Sequence, residues 1–200
     1  MKKILLCLLV SISAWIAQGC MPTPTTSNKR YNLYTYKVRL QNGVKDSINY
    51  YLDDVISVKF KFNNQALSFG IQNLTSEPLK IKWDESSLVI LGESQKIIHS
   101  GTKLINATEA QVPTVIPPKA FITESVVPSG SVKYSTYAGW MQNTVFPKSD
   151  NGRAENEQLV KSLIGKGFSL YMPIARKGEQ IDYNFEFIIV DISSKVETVF

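Results

Sequence analysis

The sequence predicts an all-β protein: an antiparallel β-sandwich of immunoglobulin-like layering, with one short helix in a crossover. Three observations point there. Apolar and polar residues alternate with period two in run after run, turn residues punctuate the chain at short intervals, and a single stretch carries a helical period.

In chain order, the first strand is tyrosine-rich, with Tyr31, Tyr34 and Tyr36 followed by Tyr50 and Tyr51. In VISVKFKFN (55–63), Ile56, Val58, Phe60 and Phe62 point one way and Ser57, Lys59 and Lys61 the other, the pattern of a half-buried strand. ALSFGIQN (66–73) repeats it with Leu67, Phe69 and Ile71, and LKIKW (79–83) with Leu79, Ile81 and Trp83. NLTSEP (73–78) supplies turn residues between them. Shorter apolar runs follow as SQKIIH, TVI, AFITESVV and SVKYS. Pro117 and Pro118 lack backbone donors, so VIPPKAF suits an edge or a crossing between layers. AGWMQNTVFP (138–147) reads as loop, with Trp140, Met141 and Phe146 as a contact surface or a plug for the core. RAENEQLVKSLIGKG (153–167) is the helix: Leu159, Val160, Leu163 and Ile164 share a face, and Gly165 or Gly167 ends it. The last two strands are FSLYMPI and QIDYNFEFIIVDI. They face Phe168, Leu170, Met172 and Ile174, then Ile181, Tyr183, Phe185, Phe187 and Ile189, to one side, and Gly178 turns the hairpin between them.

The amino-terminal segment MKKILLCLLVSISAWIAQGC has two lysines, an apolar run too short to span a bilayer, and small residues before Cys20, which is the layout of a secretory signal. It resembles bacterial lipoprotein signals, in which a small residue precedes an obligatory cysteine. The resemblance implies that residues 1–19 are a signal peptide and that Cys20 carries the lipid. It also implies an outer-membrane destination, since Met21 stands where an inner-membrane retention signal has aspartate. Cys7 would leave with the leader, so the mature chain would hold no internal disulfide and depend on an ordinary core. Residues 20–30 then read as lipidated cysteine and tether, polar and carrying Pro22 and Pro24, and 31–200 as one domain. The segments NLTSEPLKIKWDESSLVI, SQKIIHSG and TVIPPKAFITESVVPSG resemble stretches shared by a loosely defined group of uncharacterised bacterial lipoproteins, which implies a β-rich envelope domain and carries no activity with it.

Charge narrows the partners. The chain has 22 Lys plus Arg against 17 Asp plus Glu, a formal +5 that falls to +3 without Lys2 and Lys3. The basic residues alternate along strands instead of clustering, so no nucleic-acid site is expected. His99 is the lone histidine, too few ligands for zinc and too little for a nucleophile, base and acid set. No metal or cofactor is expected. Asp84 and Glu85 in WDESS are adjacent and would point apart on an extended strand, so the cluster reads as a strand exit with Trp83 in the core. Asp53 and Asp54 read as a solvated turn.

The expectation is therefore a noncatalytic, membrane-anchored envelope lipoprotein that binds an envelope protein partner or serves an assembly. The alternative is glycan binding through exposed aromatics, with Tyr31, Tyr34, Tyr36 and Trp140 as the strip. A hydrolase using His99 with Asp84 or Glu85 ranks third.

Overall fold

The computed structural model describes residues 29–199 except residue 46, so the leader, Cys20 and most of the tether lie outside the described residues. Within the described residues the strands are β1 (Lys29–Leu40), β2 (Tyr50–Leu52), β3 (Ile56–Phe62), β4 (Leu67–Asn73), β5 (Leu79–Ile81), β6 (Ser87–Ile90), β7 (Glu93–His99), β8 (Thr114–Ile116), β9 (Phe121–Pro128), β10 (Val132–Ser135), β11 (Gly139–Gln142), β12 (Gly167–Arg176) and β13 (Glu179–Val199). One helix, α1 (Ala154–Lys161), precedes β12, and a 3-10 turn at Trp83–Glu85 joins β5 to β6.

The strands form a mostly antiparallel sandwich, as the periodicity predicts. One layer runs β1–β13–β12–β6, with β5 and β8 appended to β12; the other runs β9–β4–β3–β2. β7 belongs to both. Residues 93–96 pair with β6, and Ile97–His99 pair with β9, so the strand crosses from one layer to the other. Tight turns set the register of two hairpins. Leu91-Gly92 and Lys177-Gly178 each place two consecutive residues at positive φ, the geometry whose twist matches paired strands.

Alternation fills the space between the layers as expected. Ile56, Val58 and Phe60 of β3, Leu67, Phe69 and Ile71 of β4, Phe168, Leu170, Met172 and Ile174 of β12, and Tyr183, Phe185, Phe187 and Ile189 of β13 are all buried. Phe60 sits at the centre, 4.8 Å from Phe185, 5.1 Å from Phe187 and 5.6 Å from Phe69, ring centre to ring centre. Tilted and edge-on contacts of this kind add about 0.5–1.5 kcal/mol per pair beyond area burial. The buried hydroxyl of Tyr183 has no hydrogen-bond partner among the described residues, and burial raises its pKa.

The two ends of the sheet nearly meet, and asparagine side chains fill the seam. Where β1 lacks a strand neighbour, the Asn49 amide stands in for a peptide group: Leu40 N–H donates to its Oδ1 at 2.8 Å, and its Nδ2 donates to Val38 O at 3.1 Å. Asn49 has φ 56, a left-handed conformation that asparagine tolerates better than most residues. Asn64 Nδ2 donates to Tyr34 O, and Asn42 extends β13 below the end of β1, donating to Asn184 O and accepting from Glu186 N–H. Along the rest of β1, Tyr34 N–H donates to Lys148 O. The exposed row of unpaired backbone groups that makes an edge strand aggregation-prone is thereby covered.

Three features differ from the expectations. Of the four apolar residues assigned to the helix, Val160 and Leu163 are buried and Leu159 and Ile164 are exposed, and α1 ends at Lys161, before Leu163 and Ile164. The stretch read as loop around Trp140 contains β11, paired with β10 in a separate two-stranded sheet. The tyrosine-rich strand begins at Lys29, inside the segment read as tether.

Candidate functional site

His99 ends β7 on the side that faces the core, and is only 8% exposed. Its imidazole stacks on fully buried Trp83, centres 4.6 Å apart and planes within 8°. The short strands around it explain its position: Trp83 turns inward because the chain leaves β5 in a 3-10 turn, and its Nε1–H donates to Thr114 Oγ1 of β8 at 2.8 Å. Nδ1 of His99 accepts the Gly101 N–H at 3.2 Å and lies 3.5 Å from the Glu124 carboxylate, which also accepts the Ser100 hydroxyl. The serine proton therefore goes to the carboxylate and not to the imidazole, so these three do not form a nucleophile–base relay.

Asp84 and Glu85 do not join that group. Asp84 Oδ1 accepts the Gln111 N–H at 2.9 Å, while Gln111 Oε1 accepts the His99 backbone N–H and its Nε2 donates to Ile97 O. Gln111 thus stands between Asp84 and the His99 backbone. Glu85 turns to solvent and pairs with Lys82 at 2.8 Å. The acid–base pair considered for His99 is not assembled, since neither carboxylate has a hydrogen bond to the imidazole. Among the described residues no three His, Cys, Asp or Glu side chains cluster as metal ligands.

The four aromatics of the glycan alternative are also separated. Tyr34 and Tyr36 are buried, at 7% and 6% exposure, because the segment 146–150 lies over them; Tyr36 O–H donates to Pro147 O at 2.7 Å and its ring meets Phe146 at 5.4 Å. Burial raises the pKa of both tyrosines, and at Tyr34 the Asp150 charge adds to it. Tyr31 is half-buried, and Trp140 lies on β11 in a different sheet. With Tyr34 and Tyr36 buried, the four do not make one exposed strip.

No family model, curated protein sequence or solved structure matches the chain.

Two features emerge only with the fold: a buried carboxylate, and the pairing of SVKYS with the stretch around Trp140. One is Asp150, whose buried carboxylate accepts from Asn32 N–H at 2.9 Å, Asn32 Nδ2 at 2.5 Å, Gly152 N–H at 2.8 Å and Tyr34 O–H at 3.3 Å. The Gly152 N–H and the Asn32 donors hold its pKa below the ordinary 3.8, against the opposing effect of burial. A depressed folded pKa means the folded state binds fewer protons than the unfolded state. The stabilisation is complete above 3.8 and lost as pH falls through the lower folded value. Wild type is expected to lose resistance to urea in that acid window, and Asp150→Asn to start lower at neutral pH and to change less across it. Urea midpoints from about pH 7 to about pH 2 provide the check.

The other is the β10–β11 hairpin. Its residues Tyr134 and Trp140 meet edge-on at 5.5 Å, Tyr137 at the turn is 100% exposed, and Tyr134 and Met141 are also open to solvent. Asn143 N–H donates to Ser131 O across the hairpin's own base, and Gln142 Nε2 ties the hairpin to the body by donating to Gln65 O.

Proposed function

We propose that the protein is a lipid-anchored, noncatalytic binding module of a bacterial envelope, fastened through Cys20 and facing a protein partner with the β10–β11 hairpin. The observation that carries the reading is that hairpin: three aromatics and a methionine exposed on a two-stranded sheet separate from the main one and outside the core. Tyrosine, tryptophan and methionine are enriched at protein interfaces, where a large apolar face and a polar tip are both used. The leader supports the anchoring half. Its length and its terminal Gly19-Cys20 suit lipidation, and several acyl chains on one cysteine give stable attachment at about 0.8 kcal/mol per buried methylene. Among the described residues no helix is long and apolar enough to cross a membrane. Met21 favours an outer-membrane address.

Each half has its own test. Labelled palmitate should enter the wild-type protein and not Cys20→Ser, and the variant should leave the membrane fraction; an unlabelled wild type ends the anchoring claim. A photo-crosslinking residue placed at Tyr137 or Trp140 in intact cells should give one adduct of discrete mass. The same residue placed at exposed Leu159 on α1 should not. Equal, diffuse labelling at all three positions argues against the hairpin as the contact.

A further inference from the structure

The outward face of the β2–β3–β4–β9 layer carries a second feature that sandwich architecture does not require. Lys59, Gly70 and Thr123 lie side by side in register across three strands, all on the outward side of the alternation. A glycine in a central strand weakens it by roughly 0.5–1 kcal/mol relative to alanine. Here it leaves a dent, and Phe121, opposite Gln72 in the register, leans diagonally across it. A Cβ built on Gly70 would come 2.7 Å from Phe121 Cε2, so only glycine admits the ring. The ring rests on backbone below, yet the residue is 63% exposed. An apolar ring held open in this way is not what a merely solvated face needs.

The dent opens into a hollow of about 450 Å³ whose lining is mainly apolar, with Ser57, Gln72 and Thr123 supplying polar groups at its walls. Past Lys59 and Lys61 it adjoins a second hollow of about 640 Å³ bounded by Tyr50 and Ile48. The combined groove crosses four strands, about 14 Å at the usual inter-strand spacing. Lys59 and Lys61 project from one strand about 7 Å apart. Among the described residues Lys59 and Lys61 are in no ion pair, like most of the lysines, so neither ammonium group is already held by a carboxylate.

We propose that this groove binds an anionic oligosaccharide, with a sugar ring stacked on Phe121 and its carboxylates held by Lys59 and Lys61. The hydroxyls of Ser57 and Thr123 and the Gln72 amide suit sugar hydroxyls. An acidic peptide fits less well, because β3 and β4 are paired on both sides and offer it no free backbone groups. A lipid surface fits less well too, because Phe121 is the one apolar side chain among the outward residues of β3, β4 and β9 that line the first hollow, beside Ser57, Lys59, Lys61, Ser68, Gln72 and Thr123. The site does not depend on Cys20 or on the hairpin.

The test uses the full lipoprotein in detergent, titrated calorimetrically with hexagalacturonate, neutral cellohexaose, a polyglutamate peptide and phosphatidylglycerol vesicles. Saturable binding of hexagalacturonate is expected, with cellohexaose weaker by about tenfold or more. Phe121→Ala should weaken hexagalacturonate by about tenfold and Phe121→Tyr by less than about threefold. Gly70→Ala should act like Phe121→Ala by forcing the ring aside, and Lys59→Ala with Lys61→Ala should abolish binding. Phe121 is exposed, so an unchanged melting temperature separates these effects from unfolding. Cys20→Ser should bind as wild type does, which keeps failure here distinct from failure of anchoring. The proposal is overturned if hexagalacturonate does not bind saturably, if Phe121→Ala binds it as wild type does, or if polyglutamate or the vesicles bind as tightly.

Discussion

Trp83→Ala is expected to destabilise the domain by about 3–5 kcal/mol, the usual range for truncating a fully buried large aromatic. Trp83 has no exposed surface, and it links three things at once: the exit from β5, the ring of His99 at 4.6 Å, and Thr114 of β8 through Nε1. Truncation removes the packing, leaves a cavity and strands the Thr114 hydroxyl. For a domain of this size the loss corresponds to a fall in melting temperature of roughly 6–20 °C. Against a total stability of about 5–15 kcal/mol, that brings the variant near the threshold of folding. The chain has one histidine, so its imidazole proton resonances report on this site alone. They should lose the ring-current shift caused by Trp83. A melting temperature within about 2 °C of wild type would show that the pocket closes around the missing ring.

Asn73→Ala is expected to cost about 3 kcal/mol, from a residue with no apolar contribution to lose. Its fully buried amide donates to Glu77 O at 2.7 Å and to Ile116 O and Pro117 O at 3.1 Å, and its Oδ1 accepts from Thr75 N–H and the Thr75 hydroxyl. One side chain thus fixes the turn after β4 and the Pro117-Pro118 crossing that carries the chain from β8 to β9. Alanine leaves these carbonyls short of a donor inside the protein, at about 1–3 kcal/mol for each group left unsatisfied. Asn73→Asp should be worse at neutral pH, because it puts a charged acceptor against three carbonyl oxygens. Urea unfolding of both variants checks the order. Asn73→Asp matching wild type would mean the amide donors matter little.

The layered architecture was legible because burial of one strand face writes itself into the sequence every second residue. The runs at 55–63, 66–73 and 79–83 and the closing hairpin needed nothing else. What stayed hidden depends on residues far apart in the chain. Tyr34 and Tyr36 look like surface aromatics until the segment more than a hundred residues later covers them. Asp150 and Asn49 are ordinary turn residues by composition, and their roles follow from which backbone groups the fold leaves without partners. The strand β11, in a stretch read as loop, stayed hidden for the opposite reason. Neither of its faces is buried, so no alternation marks it. The Phe121 groove has a local trace in the glycine at the centre of an otherwise regular strand, a position that often marks a bulge or a close approach.

The first strand of the domain is laid against its last: Lys29 lies opposite Val199, and Leu40 opposite Phe187. A chain delivered through a translocation pore with its amino end leading would hold β1 without a mate until the closing residues emerged. Pairings this distant in sequence make for high contact order and folding in milliseconds to seconds. Throughout that wait Tyr34, Tyr36 and Val38 would be open to sticking. Under export of that kind, a holdase that kept its client until β13 was available would shield those side chains.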